Sequence, residues 1–197
     1  MKPLFHITTR AAWDRSQAAH EYRPSSLETE GFIHLSTEEQ WRHTLQRFYR
    51  SVSDLVVLRI DPRRVAAEIK FERATDVDEE FPHLYGPLET DAVVSLREAP
   101  RMVELPARSI ERIVAADDAI ADVLGCAIDD HGRPRTYVVL AAQPGRPGEI
   151  SLQHAIAAGA ELRDVGWMQV HALPRHADGS LDEVALLASV ESLAQDD

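Results

Sequence analysis

The sequence predicts a mixed α+β protein built in two parts. Short apolar runs rich in β-branched residues alternate with longer charged segments of helical spacing, the apolar and charged fractions of 44% and 27% are those of an ordinary globular chain, and the pattern changes across a proline-bearing stretch between Pro100 and Pro106. The 197 residues suffice for one full core or two small ones.

In the first part, "LFHI" reads as a strand and "AAWDRSQAAHEY" as a helix broken by Arg23-Pro24-Ser25-Ser26. "GFIHLS" is a second strand. "TEEQWRHTLQRFY" follows as a helix with Ser36 or Thr37 as its N-cap and Glu38 and Glu39 in its first turn. "DLVVLRID" is a third strand, and "AEIKFER" a fourth, from the alternation of Ile69 and Phe71 with polar neighbours. The acidic run "TDVDEEFPH" reads as a loop, "HLYGPL" as turn chemistry, and "AVVSLRE" as a further strand.

The second part predicts a helix at "SIERIVAA", strands at "ADVLGCAID" and "RTYVVLAA" joined by a turn at "DHGR", and a flexible break at "QPGRPGE". A helix at "SLQHAIAAGAEL", a strand at "WMQVHAL", a Pro/Gly loop and a short terminal helix complete it. No internal repeat is evident. The expected domains are residues 1–102 and 103–197.

The net charge of −12 argues against a surface that grips a nucleic-acid backbone, which needs clustered Lys and Arg. Residues 1–105 carry 14 Lys and Arg against 18 Asp and Glu, so the remaining 7 against 15 make the second part the more acidic. A single cysteine, Cys126, excludes an intrachain disulfide and suits a reducing compartment. No apolar run reaches the ~18 residues of a membrane span, and the N-terminus lacks a signal-peptide pattern. The expected location is the cytoplasm, with no membrane association.

Three histidines of the first part stand beside strand ends or turns: His6 in "LFHIT", His34 in "FIHLS" and His83 in "FPHLYG". Thr8, Thr9, Ser36, Thr37 and Tyr85 keep them company, and Glu72 ends a strand from which its carboxylate can turn to the same cleft. Neutral imidazoles, hydroxyls and one carboxylate can hold sugar hydroxyls and phosphates. A lone histidine near a strand is usually a hydrogen-bonded core or rim residue. A three-histidine metal site is the other alternative, although no HExxH-like spacing accompanies it.

The blocks "LFHIT", "GFIHLSTEEQ", "DLVVLRID", "FER" and "FPHLYGPLETDAVV", in that order, resemble the domain-of-unknown-function 952 family over residues 1–100. That family is grouped with ADP-ribosyltransferase-like proteins, including RNA 2′-phosphotransferases. The resemblance implies an ADP-ribosyltransferase-like mixed sheet and a site for NAD or a related phosphorylated nucleotide. It makes His34, Glu72 and His83 the catalytic candidates. His6, Thr8, Ser36, Thr37 and Tyr85 become cofactor-binding candidates, with His6 on the NAD ribose and Tyr85 stacking over the ligand. Two departures weigh against protein modification: no Tyr at the His34 position, and no Glu-x-Glu pair near Glu72.

"VELPARSIERIVAADDAIADVLGCAIDDHGRPRTYVVLA" and "VHALPRHADGSLDEVAL" resemble the small C-terminal subdomain of acyl- and aminoacyl-adenylating (AMP-binding) enzymes. Where that subdomain carries Gly-Lys, this chain has Gly179-Ser180, and a neutral hydroxyl cannot replace an ammonium. The resemblance therefore implies a small α/β module that does not adenylate by itself. It would serve stability, or dock a carrier protein or adenylating enzyme through residues 106–197, in a peptide- or polyketide-type biosynthetic pathway. The whole would be a NAD-using ADP-ribosyl or 2′-phospho transferase, or else a non-catalytic partner of an adenylation or carrier-protein assembly.

Overall fold

A computed structural model describes residues 2–50, 52–73, 79–130, 133–143 and 150–195. The chain forms two compact units, residues 1–99 and 100–197. Both mix helices and sheets, so the α+β class holds.

The first unit runs β1 (Leu4–Thr9), α1 (Arg10–Gln17), β2 (Glu21–Tyr22), α2 (Ser25–Thr29), β3 (Ile33–His34), α3 (Trp41–Phe48), β4 (Leu55–Ile60), β5 (Ile69–Arg73), β6 (Glu80–Leu84), β7 (Leu88–Glu89) and β8 (Val93–Glu98). Two antiparallel three-stranded sheets dominate it, ordered β1-β4-β8 and β3-β6-β5. β2 and β7 pair separately. The two larger sheets are stitched where Phe5 and Ser36 exchange backbone hydrogen bonds of 2.8 Å.

Side chains on β4 alternate between two cores. Val56, Leu58 and Ile60 join Ile33, Leu84, Leu88 and Trp13, while Leu55 and Val57 join Phe5, Ile7 and Trp41. Full burial of each such aliphatic side chain is worth about 1.5–3 kcal/mol. Trp41 packs near Phe5 at 6.0 Å, and the guanidiniums of Arg42 and Arg97 lie 4.2 and 4.8 Å from its ring centre.

Several elements differ from the sequence expectation. The first helix stops at Gln17 because His20 turns the chain at a φ of 57°, freeing Tyr22 to pair with Leu88 as a buried strand residue. Arg23-Pro24-Ser25-Ser26 is less a break than the entry to a short helix, α2. Neither Ser36 nor Thr37 caps α3: the Ser36 backbone is committed to Phe5, Thr37 N–H donates to the Gln40 side chain, and the helix starts at Trp41. Phe71 lies half-exposed because β5 is an edge strand. His83 sits in strand β6, not in a turn, held between β3 and β5; part of the acidic run before it, residues 74–78, lies outside the described residues.

The second unit comprises β9 (Arg101–Val103), α4 (Ala107–Ala116), β10 (Ile120–Asp130), β11 (Arg133–Ala142), α5 (Leu152–Ala158), β12 (Val165–Val170) and α6 (Glu183–Gln195). Its sheet is ordered β12-β11-β10-β9, with β11 and β12 parallel across α5 and the other pairs antiparallel. Alternation on β11 sends Tyr137 and Val139 to the α6 side and Val138 and Leu140 to the α4 and α5 side. Burial among the α6-side residues pushes the Cys126 thiol up to about 12. The terminal helix is 13 residues long rather than short, because Leu186, Leu187, Val190 and Ala194 recur at helical spacing and bury one face. Of the expected turn "DHGR", Asp130 ends β10 and Arg133 begins β11, while residues 131–132 of it and 144–149 of the expected break "QPGRPGE" lie outside the described residues.

Candidate functional site

The three strands β3, β6 and β5 carry the candidate site on one face. Strand alternation sends Ile33 and Leu84 into the core and places His34 beside His83, with Lys70 next in the row. Leu35 N–H donates to the Pro82 carbonyl, so His34 and His83 form the non-hydrogen-bonded pair between, where facing side chains approach most closely. Their rings meet edge to face at 5.2 Å. Phe32 stacks on His83 at 4.0 Å and meets His34 edge-on at 4.9 Å.

Each imidazole has a carboxylate behind it. Glu72 Oε2 is 2.8 Å from His83 Nδ1 and also accepts from the Tyr85 hydroxyl at 2.6 Å. Those two bonds, Tyr85 first, hold the Glu72 carboxyl below the usual carboxylate range, and the same contact raises the Tyr85 phenol. An ionised carboxylate only accepts, so His83 carries a proton on Nδ1, and its neutral form keeps Nε2 as an acceptor. Glu30 Oε2 stands 3.1 Å from His34 Nε2, which by the same logic leaves His34 Nδ1 as the acceptor.

His34 and His83 line a cleft of about 840 Å³. Its size falls in the range of about 300–1,000 Å³ usual for small-molecule sites. Phe5, Ile7 and Leu35 supply apolar wall, Ser36 and Thr44 hydroxyls, and Arg47 and Arg73 positive charge. Phe48, 60% exposed with the Arg47 guanidinium over its ring, adds an aromatic surface.

The other candidates divide between the cleft and its surroundings. Ser36 lines the cleft, its hydroxyl 3.2 Å from that of Thr44. Glu72 and Tyr85 are not among the lining residues; Glu72 reaches the cleft through His83, and Tyr85 through Glu72 and through the Phe32 ring, 5.5 Å away between centroids. Thr37 serves the turn before α3. His6 and Thr8 are buried at 7% and 6% exposure, and neither lines the cleft. The expectation that His6 holds a ribose is corrected: burial lowers its pKa to about 4, and its ring is occupied by the His34 carbonyl at 2.7 Å and the Tyr22 hydroxyl at 3.1 Å. Among the described residues, no three His, Cys, Asp or Glu side chains gather as a metal site.

Sequence reasoning missed Phe32, Glu30, His43 and Arg47 as cleft residues. A signal for one was present: Phe-x-His occurs twice, at Phe32-Ile33-His34 and Phe81-Pro82-His83, and period-two alternation puts each Phe on the face of its His.

Fold and site thus define an α+β unit with a histidine-walled cleft, followed by a second α/β unit. Residues 7–96 match the family model described as "Protein of unknown function (DUF952)", which places that match in the first unit. Among solved structures, the crystal structure of protein CC0527 from Caulobacter crescentus is 29% identical, covering 54% of this chain and 90% of that one with a TM-score of 0.46. The solution structure of the same protein gives 30%, 54%, 89% and 0.44. NpsA of Klebsiella oxytoca, in complex with 3-hydroxyanthranilyl-AMSN, is 16% identical, covering 70% of this chain and 31% of that one with a TM-score of 0.32. No curated protein matches the chain. Among the described residues, no helix is long and apolar enough to cross a membrane.

Proposed function

We propose that the first unit is an enzyme acting on NAD or a related phosphorylated nucleotide. The observation that carries this reading is the pair of carboxylate-backed imidazoles, His34 and His83, meeting at 5.2 Å on the wall of one cleft. Phe32 and Phe48 offer aromatic surface to a planar base, and Arg47 and Arg73 offer charge to phosphates. Ser36 and Thr44 offer hydrogen bonds to sugar hydroxyls.

In an ADP-ribosyl transfer, the oxygen of an acceptor hydroxyl bonds to the ribose carbon bearing nicotinamide. The carbon–nitrogen bond breaks, and nicotinamide leaves neutral with the bonding pair. The hydroxyl proton passes to Nε2 of His83, whose charge is stabilised by Glu72. Glu72 is then a positioning residue, a role changed from the catalytic one that the family resemblance implies. His34, with Nδ1 unprotonated, binds a ribose hydroxyl.

For the second unit we propose a non-catalytic docking or stability role in a biosynthetic assembly. Ser180, at the position where the adenylating subdomain has Lys, donates its hydroxyl to Asp178 at 2.6 Å in an exposed loop and brings no cation.

Thermal unfolding of the full chain with NAD, ADP-ribose, nicotinamide and ATP tests the reading. Ligand at about a hundred times its dissociation constant adds about 2.7 kcal/mol and raises the midpoint. A rise with NAD or ADP-ribose that is lost in His83→Ala supports a nucleotide site. An unmoved midpoint with every ligand removes the enzyme reading and turns attention to a protein partner.

A further inference from the structure

His6 and His34 are linked by a bond that alternation alone does not require. In the β3–β6 pair, the backbone N–H and C=O of His34 point away from β6, because His34 and His83 occupy the non-hydrogen-bonded position. β3 is an edge strand, so that carbonyl has no ladder donor from its own sheet. The His6 ring of β1 supplies one: its Nδ1 is 2.7 Å from the His34 oxygen. A carbonyl only accepts, so Nδ1 carries the proton and Nε2 must accept. The Tyr22 hydroxyl, 3.1 Å away, donates to Nε2 and accepts in turn from Thr8 Oγ1 at 2.8 Å. The chain Thr8–Tyr22–His6–His34 is thereby satisfied at every link with the imidazole neutral. Its ring is packed against Tyr22, with the centroids 5.2 Å apart.

We propose that His6 is a positioning residue for His34: its Nδ1–H replaces the missing ladder donor at the open edge of β3 and fixes the strand where the His34 ring meets that of His83. Tyr22 and Thr8 fix the His6 tautomer that makes this donation. The functional consequence rests on the reading of His34 as a ligand-facing imidazole, but the geometric link stands without it.

Two variants separate the ends of the His6 ring. His6→Asn keeps a donor near the place of Nδ1 and loses the reach to Tyr22. His6→Gln keeps a polar atom near the place of Nε2 and leaves the His34 carbonyl without its donor. Tyr22→Phe removes the hydroxyl while leaving Nδ1 in place. All three lower the unfolding midpoint, so stability does not discriminate among them. The discriminating readout is the nuclear Overhauser contact between the His34 and His83 rings in the full chain.

The contact persists in His6→Asn and Tyr22→Phe and is lost in His6→Gln. Its persistence in His6→Gln, or its loss in His6→Asn, overturns the proposal. The unsubstituted chain provides a check that needs no variant: the His6 Nδ1 proton should exchange slowly with water and show a contact to the His34–Leu35 backbone. An exchange-averaged Nδ1 proton overturns the proposal as well. These measurements use no nucleotide, so a failure of the nucleotide reading leaves them standing, and their failure leaves the ligand-induced midpoint shift to be judged alone.

Discussion

Glu72 reaches His83 along a diagonal of the sheet. The residue directly opposite Glu72 on β6 is Phe81, and the one opposite His83 on β5 is Lys70, yet Glu72 Oε2 lies 2.8 Å from His83 Nδ1. Diagonal neighbours on one face of an antiparallel pair are close enough for long side chains to touch. The same carboxylate oxygen takes the Tyr85 hydroxyl from two residues further along the chain. One acidic side chain thus sets both the tautomer of His83 and the orientation of Tyr85.

Replacing that carboxylate changes a measurable ionisation. Glu72→Gln weakens the hydrogen bond that chiefly raises the Tyr85 phenol and removes the charge that adds to it, so the Tyr85 ionisation should fall toward its ordinary value near 10. An ultraviolet difference titration of Glu72→Gln against the unsubstituted chain, with Tyr85→Phe to identify the step, reads this directly. Turnover on any nucleotide substrate should fall by roughly 10–100-fold, by analogy with the loss of outer groups that orient a functional imidazole. An unchanged tyrosine titration would mean that the bond between Glu72 and Tyr85 is absent in solution.

Buried His6 makes the first unit acid-sensitive. Its folded pKa of about 4 lies below the ordinary 6.5 because burial disfavours the charged ring. The unfolded chain therefore binds more protons between those values, and stability is lost as pH falls from about 6.5 to about 4, levelling below that. The size of this contribution is roughly 3 kcal/mol. Chemical denaturation across that pH range should show the slope, and His6→Asn should flatten it. An equal slope in both proteins would assign the acid sensitivity to other groups.

Gly86 is required by a close approach. A Cβ built on it would stand 2.5 Å from the Cβ of Ala67. Gly86→Ala should cost about 1–3 kcal/mol by overpacking. The double variant Gly86→Ala with Ala67→Gly should recover much of that loss, and a denaturant midpoint measured on the three proteins decides it. Additive losses would show that the two positions do not meet.

Periodicity made some of this architecture readable and concealed the rest. β4 and β11 were legible because β-branched runs bounded by polar residues have few other uses. β2 and β7 span two residues each, too short to carry a period, and exist only because distant partners are in register. The chemistry of His34, Ser36 and His83 could be suspected from their types, and all three line the cleft. His6 has the same type and similar neighbours, but whether an imidazole faces a core or a cleft depends on which strand crosses it. Here that strand brings the His34 carbonyl from 28 residues away. Glu30 and Arg47 escaped notice because an isolated charge on an ordinary segment carries no local mark.

The stitch between Phe5 and Ser36 has a bearing on folding kinetics. It holds β3 to one sheet through β6 and to the other through β1. No local segment contains a working part of the histidine wall: the two rings are 83 − 34 = 49 residues apart in the chain, and the donor that steadies one of them belongs to the first strand. Loop closure over such separations must precede any reward from contact, so the wall belongs among the last features to form and the first to be lost. A partly folded first unit that keeps its helices and the sequence-local β5–β6 pair would present apolar surface at the unfinished sheets and no histidine wall at all.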